Sequence, residues 1–152
     1  MALQVSIAII INGENLTFQL RKKNDYQGYL GLLGGKVEHG ETADQAVIRE
    51  VREESGLDVL DCKHVGTVIE YLESANNSKE INLQVFEVRT RGDAQHNHVE
   101  GEIVEVPKDY FVEHREKFIP TDWLIVRKFL DQQLVDFKIK VSAENKTYDI
   151  VK

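Results

Sequence analysis

The 152-residue chain carries 26 Asp and Glu against 19 Lys and Arg, a formal net charge of −7, with 41% hydrophobic and 30% charged residues; that suits one folded domain with a real core. The acidic balance argues against stable nucleic-acid binding and leaves a small-molecule partner, nucleotides included. One cysteine excludes an internal disulfide, no apolar run reaches membrane-spanning length, and MALQVSIAIII lacks the basic start of a leader, so the expectation is a cytoplasmic protein without membrane contact, monomer or homodimer.

In chain order, Leu3–Ile11 reads as a strand, Asn12-Gly13 as a turn and Leu16–Arg21 as the hairpin partner, with Leu16, Phe18 and Leu20 alternating against Thr17 and Gln19. Lys22–Gly28 is a polar loop, and Leu30–Leu33 a short apolar stretch. Thr42 is placed to cap a helix over Ala43–Ser55, which holds no Gly or Pro and is ended by Gly56. Strands follow near Cys62–Glu73 and Glu80–Arg89, joined by the polar turn Ser74–Lys79. After the polar loop Arg91–Gly101 comes a short strand, Glu102–Val106, and Pro107 suits the first turn of a segment running to Val112. Thr121 or Asp122 can cap a helix to about Gln133 that lays Leu124, Ile125 and Phe129 on a sheet. Finally, Phe137, Ile139 and Val141 alternate with Lys138 and Lys140, and Tyr148 and Ile150 with Thr147 and Asp149, a hairpin closing at Ala143–Lys146. The order implies a mixed sheet between helices in one domain, with a core over about 3–134 and the hairpin over about 135–152.

The densest chemistry lies between residues 35 and 57. Gly35 is followed after five residues by Glu41, and after seven more by Arg49-Glu50-Val51-Arg52-Glu53-Glu54-Ser55-Gly56-Leu57. Ala46, Val47 and Val51 form an apolar stripe on the helix. Glu50, Glu53 and Glu54, at i, i+3 and i+4, project from one patch a single turn long. Like charges so close repel, and a bound cation reverses that sign. Carboxylate oxygens suit Mg²⁺, which keeps waters and takes substrate phosphate to complete its shell. Arg49 stands one turn before Glu53 and can hold that carboxylate in place, while Gly34-Gly35 lets backbone approach a ligand and offer it a carbonyl.

This run closely resembles the signature of the Nudix hydrolases; its fixed identities should coincide by chance in roughly one chain in several million. The resemblance covers about Leu3 to Leu130. It implies an α/β/α sandwich with a mixed sheet, hydrolysis of a nucleoside diphosphate-linked substrate, and Mg²⁺, with Mn²⁺ able to substitute. Carried over by position, the Gly34 carbonyl and Glu50, Glu53 and Glu54 would bind metal, Arg49 would orient Glu53, and Lys36 would face substrate phosphates. The stretch looks most like the MutT branch, which cleaves nucleoside triphosphates, oxidised purine nucleotides among them, to monophosphate and pyrophosphate. That branch places a further acid after a Gly ahead of a late strand, where Gly101-Glu102 stands, so Glu102 would ligate metal or act as base. It also places a base-reading Asn or Asp after a Pro, where Asp122 follows Pro120; the alternative for Asp122 is a helix cap. Arg21, ending the second strand, is a further substrate candidate. Leu33 where the branch commonly has Pro, and Ile103 where an aromatic often follows the late acid, depart from it without touching a metal ligand.

Other readings divide on single residues. Taken alone, a Glu- and Arg-rich helix is a solvated face; Gly35, Glu41 and Gly56 at matching offsets argue otherwise. A P-loop fails, because Leu30 and Val37 occupy its defining positions. Cys62 reads as a small buried hydrophobe, and His96 and His98 as surface residues. A dinucleoside-polyphosphate hydrolase would want a Tyr slightly later than Tyr71, and an ADP-ribose hydrolase a Pro that is absent between the motif and Pro107. An RNA 5′-end pyrophosphohydrolase fits the acidic chain less well. Nudix domains that only sense ligands degrade the acidic motif, which is intact here.

Overall fold

The computed structural model describes residues 2–22, 26–75, 78–94 and 101–151. The first expected strand divides in two. β1 (Leu3–Ile9) enters a six-stranded sheet, and β2 (Ile11–Asn12), one residue later, enters a four-stranded sheet built round β3 (Asn15–Arg21). β2 and β4 (Leu30–Gly31) share one side of β3, and β8 (Gly101–Pro107) lines the other. The large sheet runs β10-β9-β6-β7-β1-β5, where β5 is Leu33–Lys36, β6 Asp58–Glu73 and β7 Lys79–Arg91. β1 with β7 and β6 with β9 are parallel pairs and the remainder antiparallel, so the sheet is mixed, as expected. β6 and β7 extend beyond the expected limits, with register shifts at Val59/Asp61 and His64/Gly66 that leave Leu60 and Val65 without a cross-strand partner on β7.

Helices cover both faces. α1 (Ala43–Ser55) has the expected ends: Thr42 and Gln45 exchange the two hydrogen bonds of a capping box, and Gly56 closes the helix at φ 73°. It buries Ala46, Val47 and Val51, the latter two packed with Ala8, Leu33 and Phe86. On the opposite face α3 (Pro120–Leu130) packs Ile125 and Val126 with Val68, Val85 and Ile139. The short α2 (Lys108–Glu113), for which Pro107 is the N-cap rather than a first-turn residue, sends Phe111 into an aromatic knot with Phe18, Phe118 and Trp123. Cys62 is half-buried beside the α1 cluster, and burial pushes its thiol up to about 11, as suits a small apolar filler. His96, His98 and Glu100 lie outside the described residues.

Two expectations change at the end of the chain. The cap of α3 is Ile119, with no side-chain bond, and Thr121 and Asp122 lie inside the first turn. Pro120 takes the first helical position, where its missing N–H costs nothing and its fixed φ suits the helix. The chain entry is fixed instead by the Ile119 amide donating to the Leu30 carbonyl at 2.9 Å. The helix stops at Leu130 rather than Gln133, Gln132 turning the chain at φ 57°. The hairpin then forms as expected, β9 (Val135–Ser142) and β10 (Thr147–Val151), and β9 inserts beside β6 with Val135, Ile139 and Val141 buried. It extends the sheet within the monomer.

Candidate functional site

The site grows from the contact between α1 and β5. In the antiparallel β1–β5 ladder the Val37 amide donates to the Gln4 carbonyl, so Gly34 and Lys36, an odd number of residues away, turn their peptide groups off the sheet edge. The Gly34 amide accordingly donates to Glu54 Oε1 at 2.9 Å, and the Lys36 carbonyl accepts from Arg49 Nη2 at 3.1 Å. The Gly34 carbonyl leaves the ladder on that same side. Glu54 is 5% exposed, while the Glu53 side chain is 59% exposed. Glu50 lies over Gly35 so closely that a Cβ there would come within 2.5 Å of its carboxyl carbon. Gly35 is therefore the room in which that carboxylate sits.

Arg49 ties the loop to the helix. Its Nε and Nη2 grip both oxygens of Glu41 at 2.7 and 3.0 Å, a bidentate pair, and Nη1 donates to Glu50 at 2.8 Å and to Glu53 at 3.2 Å. The expected Arg49–Glu53 contact thus exists but is the longest of the set, and Glu41 is the main partner. The Glu38 amide donates to Glu41 as well, and the Arg49 guanidinium together with that amide holds the Glu41 carboxyl below its usual range. Arg49 is in turn held charged, first by Glu41 and then by Glu50.

Among the described residues no three acidic, His or Cys groups converge on one point as a closed cage would. Mg²⁺ takes oxygen donors, one or two carboxylates completed by water and substrate phosphate. The donors suited to it are Glu50, Glu53, Glu54 and the outward Gly34 carbonyl, with the bare Cα of Gly35 leaving space. Glu102 lies on β8 across from Leu20, on the face of that strand opposite to Ile103, which packs with the α1 cluster.

Asp122 stands at the other side of Gly31. Freed from capping, its Oδ2 accepts from the Leu32 amide at 2.8 Å, and a Cβ on Gly31 would lie 3.2 Å from the same oxygen. Burial pushes its carboxyl up to about 7; the Leu32 amide and the charge of Arg21 pull it down, and Glu70 pushes it up. Glu70, reaching from β6, accepts from the Thr121 hydroxyl and is itself raised by burial. The structure thus gathers Asp122, Arg21, Glu70 and Gly31 in one place, Gly31 standing three residues before Gly34 in the chain. Lys36 is exposed on β5, across from Val5.

Sequence reasoning missed Glu70 and Gly31. A Glu within an amphipathic strand reads as its solvated side, and the signal for Glu70 was its position among apolar neighbours, Val68 and Leu72 on the same face. The weight of Glu41 as the Arg49 partner was also missed, because a loop residue eight positions before a helical Arg has no fixed spacing to betray the pair.

The NUDIX domain family model matches residues 2–133. The chain is 44% identical over 57 residues to the 8-oxo-dGTP diphosphatase of Escherichia coli (strain K12), covering 36% of this chain and 44% of the relative. It is 43% identical over 54 residues to the ADP-ribose pyrophosphatase of Methanocaldococcus jannaschii, covering 35% and 32%. The chain thus spans less than half the length of these two relatives. A crystal structure of a MutT protein from Bacillus halodurans superposes with a TM-score of 0.81 over 97% of both chains at 20% identity, a likeness of fold. With that match over most of its length, the chain belongs to the Nudix domain family.

Proposed function

We propose that the protein is a divalent-metal-dependent pyrophosphohydrolase acting on a nucleoside diphosphate-linked substrate, and that the substrate is a purine nucleoside triphosphate cleaved to monophosphate and pyrophosphate, as in the MutT branch. The observations that support it are Glu54 bonded to the outward-facing Gly34 amide, Glu50 over Gly35, Glu53 bonded to the same Arg49 that holds Glu50, and Asp122 on the far side of Gly31. One end suits phosphate and the other a base edge, which is the division a nucleotide needs.

Mg²⁺, when bound, neutralises phosphate charge and activates water for in-line attack on phosphorus. The carboxylates of Glu50, Glu53 and Glu54 with the Gly34 carbonyl hold it. Glu41 fixes Arg49 through two hydrogen bonds, and Arg49 fixes Glu50 and, at longer range, Glu53. Lys36, exposed at the end of β5, faces the charged end of the substrate. Arg21 and Asp122 meet the nucleoside.

The test is a panel of nucleoside triphosphates, 8-oxo-dGTP, ADP-ribose, dinucleoside polyphosphates and nucleotide sugars with Mg²⁺ or Mn²⁺, read by phosphate release after added pyrophosphatase. Purine triphosphates should turn over fastest, and Glu53→Gln should lose orders of magnitude while melting as the parent does. Preference for ADP-ribose or a dinucleoside polyphosphate would overturn the substrate; turnover surviving Glu53→Gln would overturn the mechanism.

A further inference from the structure

Gln19 is 7% exposed, and its amide nitrogen has no hydrogen-bond partner among the described residues. A buried donor left unpaired is costly, and a native chain keeps one where something else satisfies it. Its surroundings say what that is. The strand register sets Gln19 opposite Gly31 on β4 and opposite Ile103 on β8, all three on one face of the small sheet. Its side chain leans away from Ile103 toward Gly101, where an added Cβ would come within 2.9 Å of the Gln19 Cγ. That is the end of β3 that carries Arg21, the cross-strand partner of Gly101. Gln19 therefore lies between two glycines, Gly31 on β4 and Gly101 on β8. Above Gly31 stand the Ile119 side chain, nearest, and the Asp122 carboxylate, and Arg21 lies two residues along β3 from Gln19.

We propose that Gln19 is a specificity-determining residue of this site, donating its amide N–H to the 6-keto oxygen of a guanine-type base whose ring N–H and amino group face Asp122. The inference rests on the nucleotide reading above and names the base. Donors and acceptors match in order: a carboxylate accepts, an amide donates, and the guanine edge offers two N–H donors beside one carbonyl. Adenine puts an amino group where guanine has that carbonyl, so Gln19 would have to turn its carbonyl oxygen inward, and adenine brings neither a ring N–H nor a 2-amino group to Asp122. The same amide suits hypoxanthine and any oxidised base that keeps the 6-keto group.

The experiment is calorimetric binding of GMP and AMP, products that cannot turn over, to the parent, Gln19→Met and Gln19→Glu, each checked by thermal melting. The parent should prefer GMP. Gln19→Met, similar in shape and without a donor, should weaken GMP on the order of tenfold and AMP little, and should melt no lower than the parent, since no internal bond is lost. Gln19→Glu, which offers acceptors only, should narrow or invert the preference. A folded Gln19→Met with an unchanged GMP-to-AMP ratio, or one that melts lower with the ratio intact, would show Gln19 to be structural and overturn the assignment. If the parent hydrolyses nucleoside triphosphates but binds both monophosphates alike, base reading by Gln19 fails and the hydrolase stands. If it hydrolyses none of the nucleotide panel, the broader reading fails with it.

Discussion

Replacing Gly35 by alanine should separate catalysis from folding. The new Cβ would lie 2.5 Å from the Glu50 carboxyl carbon and one oxygen, and 2.9 Å from the other. An ordinary contact is about 3.5 Å, so the carboxylate must withdraw by about 1 Å. It can, because it is the far end of a flexible side chain, but it then leaves Arg49 Nη1, now 2.8 Å away. A reactive arrangement displaced by that much loses on the order of 100-fold in rate. The fold should hardly notice. Gly35 has no positive φ, so alanine gains about 0.4–1 kcal/mol by restricting the unfolded chain. Weakening a partly exposed ion pair costs about 0.2–1 kcal/mol, and the two nearly cancel. The melting temperature should move by no more than about 2–4 °C. Initial rates across a Mg²⁺ titration, with a calorimetric melt of the same sample, test this. Gly34→Ala is the contrast, because there the Cβ would overlap the Ser6 carbonyl and stand 2.8 Å from the Ile7 Cα, at a φ of 152°. That variant should fail to fold. Parental turnover in a folded Gly35→Ala would refute the role given to Glu50.

Glu41→Gln should lower turnover at least about tenfold, with a higher Mg²⁺ requirement, because Arg49 keeps its fork but loses the charged partner that aims it; equal Mg²⁺ titrations for variant and parent would count against the clamp. Asp122, raised by burial from 3.8 to about 7, favours the fold when protonated. Its contribution is complete below about pH 4 and is lost as pH rises through about 7, and Glu70, raised in the same sense, adds to it. Asp122→Asn should therefore flatten the fall in stability between those limits by on the order of 2 kcal/mol, allowing for partial exposure, as denaturant titrations at pH 5 and pH 8 would reveal; parallel curves for the two proteins would contradict it. Ile139→Ala, fully buried in β9, should cost about 2–5 kcal/mol in urea unfolding; a loss under 1 kcal/mol would mean that the hairpin is not integral to the core.

Legibility followed the range of the signals. The ends of α1 were readable to the residue because Thr42, Gln45 and Gly56 act within a few positions of themselves. The start of α3 was not, since Thr121, Asp122 and Pro120 each carry a start signal, and only the packing of Ile119 under Leu30 decided which position began the helix. The patch of three glutamates on α1 was readable from their spacing taken together with Gly35, Glu41 and Gly56 at matching offsets. Its clamp was not, because Arg49 takes Glu41 from a loop. Gln19 was visible only as the polar half of an alternating strand. Its burial belongs to the second sheet, which no local pattern announced.

The insertion of β9 beside β6 also bears on how the protein is made. The two strands pair across a separation of 69 positions, as between Thr67 and Asp136. While a ribosome is still short of Val135, the 16-residue β6 has β7 on one flank and bare amides and carbonyls on the other, an open template for a neighbouring nascent chain. Long-range parallel pairing is also slow to form. Glu70 and Glu73 lie on the stretch of β6, from Gly66 to Glu73, that waits for β9, and charges on an open edge oppose pairing with a foreign strand.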